Sequence, residues 1–146
     1  MQPIHKTIIR RRRSGNALLD LAFVLPILLM LTFGAVEYGY ALYVKHALQG
    51  AAREGARAAI VTGATAAQVQ AAVDGSMQIS GFPQAKYTRP ATILPANWLA
   101  SAAGTTISVE VKTTWDVVGV KVLPQVMGGI NPARELKGAT TMRKEG

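Results

Sequence analysis

The chain has 146 residues, one domain's length, with 49% hydrophobic and 16% charged residues and a formal charge of +8. Low charge with high apolarity excludes a disordered chain, and the lack of any cysteine excludes disulfides, thiol catalysis and cysteine-built zinc or iron–sulfur sites. Lys6, Arg10, Arg11, Arg12 and Arg13 crowd five of the 16 basic residues into the first fifteen positions, leaving 11 basic against 8 acidic elsewhere, so the charge marks a leader and not a nucleic-acid surface.

The segment Ala17 to Val36 reads ALLDLAFVLPILLMLTFGAV, twenty residues whose single charge is Asp20. At about 1.5 Å per residue a helix of that length spans about 30 Å, the hydrocarbon thickness of a bilayer. The arginines just upstream orient the N-terminus to the cytoplasm. Tyr38, Tyr40 and Tyr43 follow and suit the opposite membrane–water interface. A cleaved secretory signal would have a shorter apolar core ending in small residues at an A-x-A-like site, whereas this run continues into Val36-Glu37-Tyr38. Pro26 removes one helical hydrogen bond and opposes the Ala22 carbonyl, which a membrane helix accommodates by local adjustment.

Beyond the bilayer a helical stripe continues through Val44, Leu48, Ala51, Ala52, Gly55 and Ala59. Ala51, Gly55 and Ala59 recur every fourth residue and open a shallow face that permits close approach of another backbone. That backbone is expected to belong to a neighbouring subunit, although the chain's own strand at 107–117 is the competing occupant. Arg53 and Arg57 share a different face, where Glu54 is spaced to pair with Arg57. Helix from about residue 17 to 61 thus serves as anchor and then as spine.

Thr65-Ala66-Ala67-Gln68 reads as a capping box opening a second helix to about Ile79, with Val69, Val73 and Met77 on one side, stopped by Gly81-Phe82-Pro83. Residues 84–104 read as a loop with one short strand near Lys86–Arg89, and Trp98 as a local packing anchor. Ile107, Val109, Val111, Thr113 and Trp115 alternate with polar residues and predict a strand whose apolar face lies on the spine, extended by Val117 and Val118. Residues 120–129 are apolar but broken by proline and glycine, a loop dipping toward the membrane or another subunit. Leu136–Arg143 predicts a final antiparallel strand. The fold class is α+β: a long N-terminal helix on a small antiparallel sheet.

Chemistry-bearing patterns are sparse. Apart from His5 in the leader there is only His46, and no HExxH, phosphate-binding loop, dinucleotide fingerprint or GxSxG occurs. The sequence therefore predicts no enzyme, no cofactor, no metal, no nucleic acid and no small-molecule substrate.

Four pieces of sequence carry a resemblance. Arg13-Ser14-Gly15-Asn16 runs directly into the apolar segment, with an acid five residues after the glycine, and resembles a class III, type IV pilin-like signal. Asp20-Leu21-Ala22-Phe23-Val24-Leu25-Pro26, then Phe33-Gly34-Ala35-Val36-Glu37-Tyr38-Gly39, then Ala51-Ala52-Arg53-Glu54-Gly55-Ala56-Arg57 together resemble the TadE-like family of pseudopilins and minor pilins of tight-adherence (Flp-type) pili. The resemblance implies cleavage by prepilin peptidase between Gly15 and Asn16, glycine offering an extended backbone for the protease to grip. It implies that Asp20, which stands where pilins usually carry Glu, pairs with the new amine of Asn16 on a neighbouring subunit. It implies packing roles for Pro26, Arg53, Glu54 and Arg57, and partners among other pilins and the assembly machinery. The resulting division is 1–15 leader, 16–44 transmembrane helix and outer interface, and 45–146 exported domain, at the bacterial inner membrane or in the pilus. An uncleaved single-pass signal-anchor whose exported domain binds another protein is the alternative.

Overall fold

The computed structural model describes residues 14–145; the basic leader up to Arg13 lies outside the described residues. Helix α1 runs from Ser14 to Ile60 through Pro26. It has two unlike halves. Residues 17–33 are exposed on every side, with Leu18 69% and Phe23 75% accessible. From Glu37 onward the same helix carries a fully covered stripe of Glu37, Val44, Leu48, Ala51, Ala52, Ala56 and Ala59. The first large contacts thus fall at Glu37 and Val44, ahead of the boundary drawn at residue 45.

Helix α2, Ala66–Ile79, is opened by the expected capping box: Thr65 Oγ1 accepts from the Gln68 amide, and Gln68 Oε1 accepts from the Thr65 amide. Such reciprocal caps satisfy two otherwise orphaned helix-terminal donors. Its buried side, Val69, Val73 and Met77, lies against α1.

Three antiparallel strands form one sheet in the order β1-β2-β3: β1 Thr92–Leu94, β2 Thr106–Thr114 and β3 Glu135–Arg143. Ile107, Val109, Val111 and Thr113 of β2 point inward, as their period-two spacing requires. Burial of each such aliphatic side chain stabilises the fold by about 1.5–3 kcal/mol. Strand β3 lies on α1 because Gly138 lacks a side chain: a Cβ there would come within 2.3 Å of the Leu48 carbonyl carbon. Gln49 Nε2 donates to the Ala139 carbonyl at 2.8 Å, fixing the register of that contact.

Two local expectations are corrected. The short strand falls at 92–94 and not near Lys86–Arg89, because residues 84–86 form a 3-10 turn held by the Thr113 hydroxyl, which donates to the Lys86 carbonyl at 2.6 Å. Strand β2 also ends before Trp115. Residues Trp115–Val118 form a single helical turn, α3, closed by the Gly119 amide donating to the Trp115 carbonyl at 2.7 Å. Gly119 is required there, since a Cβ would lie 2.5 Å from the indole of Trp115. Trp98 is 5% exposed and joins the core, and Lys144 Nζ donates to the carbonyls of Trp98, Leu99 and Ser101, locking that loop to the end of the chain.

Candidate functional site at the anchor and its junction

The apolar half of α1 is long enough to cross a membrane, and none of its most apolar stretch is covered by the rest of the chain. Residues 17–33 extend for about 26 Å at helical rise. In water so much uncovered apolar surface has no partner, and a patch of that size marks contact with lipid or protein. Thr32 returns its hydroxyl to the Leu28 carbonyl at 2.8 Å, which hides its polar group along the helix.

Asp20 sits on this uncovered half with no hydrogen-bond or ion-pair partner among the described residues. Pro26 is exposed on the same stretch, and the helix continues past it. Gly15 and Asn16 fall in the first turn of α1, so the backbone is helical where a protease would require it extended. Glycine is among the weakest helix formers, which lowers the cost of unwinding the helix at Gly15.

The face expected to dock a neighbouring subunit is corrected by the packing. Ala51, Gly55 and Ala59 are buried inside this chain's own fold. A Cβ at Gly55 would stand 2.7 Å from Val73 Cγ2 of α2 and 3.1 Å from Val109 Cγ1 of β2. Small residues on α1 create room for a close backbone, and α2 and the sheet of the same chain occupy it. Arg53, Glu54 and Arg57 are exposed, and among the described residues no ion pair joins Glu54 to Arg57. They lie on the side of α1 left open to solvent or to other subunits.

Between the two halves of α1 sits a residue without an assigned role at the level of sequence. Glu37 is fully buried, and its carboxylate receives two backbone donors from one loop: the Leu123 amide at 2.8 Å and the Ile130 amide at 2.9 Å. Tyr38 adds its hydroxyl to the Gly128 carbonyl at 3.1 Å. Loop 119–130 thereby closes around α1 at the point where its exposed half begins. Its Leu123 Cδ1 approaches to 3.6 Å of the Cβ position of Gly34. The signal was present in the sequence: Glu37 is the only acid between Asp20 and Glu54, and it falls on the same helical stripe as Val44, Leu48 and Ala51. An acid on a buried stripe needs a built acceptor site.

The tyrosines at the end of the apolar segment also serve the fold. Tyr43 donates to the Ser80 carbonyl at 2.9 Å and packs on Phe82, while Tyr40 meets Trp115 edge to face at 6.1 Å. Tyr38 and Tyr43 remain about half exposed, which leaves their rings free for an interface.

A second polar cluster ties α2 to the loop before β1. Asp74 accepts from Gln70, Gln84, Tyr87 and Arg89, the last through a 2.6 Å ion pair. Burial pushes the Asp74 carboxyl up, but hydrogen bonds from Tyr87, Gln70 and Arg89 and the Arg89 charge outweigh it and hold the group below its usual range. Burial and the adjacent Asp74 push the Tyr87 hydroxyl well up. These partners satisfy one another, so the cluster reads as a structural tie. Among the described residues no group of three His, Asp or Glu side chains is arranged to hold a metal ion.

No curated protein and no solved structure matches the chain. A family model described as TadE-like protein matches residues 15–57, which begin at Gly15 and take in the exposed half of α1, the Glu37 junction and most of the buried spine. Over that segment the chain is similar to the TadE-like family.

Proposed function

We propose that this protein is a pseudopilin or minor pilin of a tight-adherence pilus, made as a precursor, inserted with its N-terminus in the cytoplasm and cut by prepilin peptidase after Gly15. Its work is structural: α1 anchors the subunit in the inner membrane and then packs among other pilins as the assembly forms, with Asp20 pairing to the Asn16 amine of a neighbour. The observation that carries this reading is the uncovered apolar half of α1 within a TadE-like segment. A pilin helix must leave that half free for lipid first and for neighbouring helices later. In this reading the inter-subunit contacts fall on residues 17–33 and the open side bearing Arg53, Glu54 and Arg57, and the burial of Gly55 within the chain's own fold supports it.

The test is the mature N-terminal residue, read by mass spectrometry of the membrane fraction from peptidase-competent cells. Asn16 at the terminus is expected, and a Gly15→Asp variant should accumulate as inserted precursor. An intact leader in the wild type would favour the uncleaved signal-anchor instead.

A further inference from the structure

Loop 119–130 is held at an unusual height on α1. Its attachments are Leu123 beside Gly34, the Leu123 and Ile130 amides on Glu37, and the Gly128 carbonyl on Tyr38. Gly34 lies two residues inside the apolar segment that ends at Val36, and Tyr38 two residues beyond it, so the loop straddles that end within about 3 Å either way. A headgroup layer is about 5–7 Å thick on each side of the hydrocarbon. The loop nevertheless leaves apolar side chains uncovered: Val120 is 49% and Met127 51% exposed, and Val117 of the adjoining turn 37%. The polar tie between Lys121 and Asp116, at 2.6 Å, supplies a charged pair beside them that suits a headgroup layer and not a hydrocarbon core.

We propose that loop 119–130 is a membrane collar, seated in the outer headgroup layer of the bilayer that α1 crosses, with Val120 and Met127 as its inserted side chains. This rests on the reading of α1 as a membrane span, and the placement follows from continuity: an element bonded to the end of a span is held at the surface that span leaves. The collar sets how far the folded domain stands from the membrane, through Glu37, and limits its tilt. On extraction into a filament the same side chains lose their lipid contact.

Because the chain has no cysteine, single substitutions report single positions. Leu28→Cys, Val120→Cys, Met127→Cys and Thr62→Cys variants of the full chain, each carrying a polarity-sensitive fluorophore, are placed one per phosphatidylethanolamine–phosphatidylglycerol nanodisc. Quenching is measured with lipid bearing a shallow or a deep nitroxide, and with aqueous iodide. Labels at positions 120 and 127 should emit to the blue of position 62, respond to the shallow nitroxide and resist iodide, while position 28 responds to the deep nitroxide. If position 28 is lipid-quenched but 120 and 127 stay as open to iodide as 62, the collar is overturned and the span stands. Protection from iodide without lipid quenching at 120 and 127 means that protein covers them, and also overturns it. Failure of lipid quenching at position 28 removes the span itself and the collar with it.

Discussion

The two halves of α1 are one continuous helix, bare along its first half and packed along its second. Residues 17–33 have large apolar side chains and no cover, while the buried stripe from Ala47 to Ala59 is rich in alanine and is almost wholly covered. The contrast inverts the simple expectation that the bulkiest apolar residues are the most buried. Large side chains stand where no part of the chain covers them. Small ones are kept where a rigid sheet and a second helix must come close. Glu37 marks the change, and the identity of its partners makes it a joint and not merely a boundary.

Breaking that joint should have the largest effect on the folded half. Glu37→Ala leaves the part-buried Leu123 amide and the buried Ile130 amide without an acceptor, up to about 1–3 kcal/mol each. A melt of the full chain in detergent micelles should fall by well over 4 °C, since each kcal/mol shifts a domain of this size by about 4–8 °C. Membrane insertion should be unchanged. An unaltered melt would show that α1 and loop 119–130 are held together by packing alone.

Gly55→Leu should come next. The added side chain meets Val73 and Val109 within the fold, and overpacking of this kind costs about 1–3 kcal/mol. The same micelle melt should fall, and limited proteolysis should speed up. Lost co-purification of other pilus components with an unchanged melt would return Gly55 to an inter-subunit face.

The Asp74 cluster should give a comparable but pH-dependent effect. Its folded pKa lies below the ordinary value of 3.8, so its contribution is fully present above that value and is lost as pH falls through the folded one. Asp74→Ala should therefore cost about 1.5–3 kcal/mol at pH 7. In urea titrations the difference from wild type should shrink steadily below pH 4. A gap that stays constant down to pH 2 would mean that the cost reflects lost packing and not the carboxylate.

Asp20→Ala should move the melt least of all, because Asp20 touches nothing in the folded half. Under the proposed function its effect belongs to assembly: subunit cross-linking and piliation should fall while cleavage and insertion persist. Wild-type piliation would reduce Asp20 to a tolerated polar residue near the headgroups.

Much of the fold was legible because its signals are local. The twenty-residue apolar run, the Thr65–Gln68 box and the alternation from Ile107 to Thr113 each report the period or the cap of a single element. Strand β1 lies several residues beyond its expected position because its three residues, Thr92–Leu94, are too few to show a period and exist through pairing with Ser108–Glu110. Trp115 continued the alternation of β2, yet the chain turns there, because the Gly119 amide and the pocket around the indole favour one helical turn.

By itself, then, the sequence determined a helix long enough to span a bilayer, its continuation as a spine, and an α+β domain behind it, since hydrophobic period and composition act over short range. Only the tertiary structure decided who occupies the small-residue face and what Glu37 holds. A stripe of alanine and glycine specifies room for a backbone without specifying whose, and the donors that satisfy Glu37 lie 86 and 93 residues further along the chain.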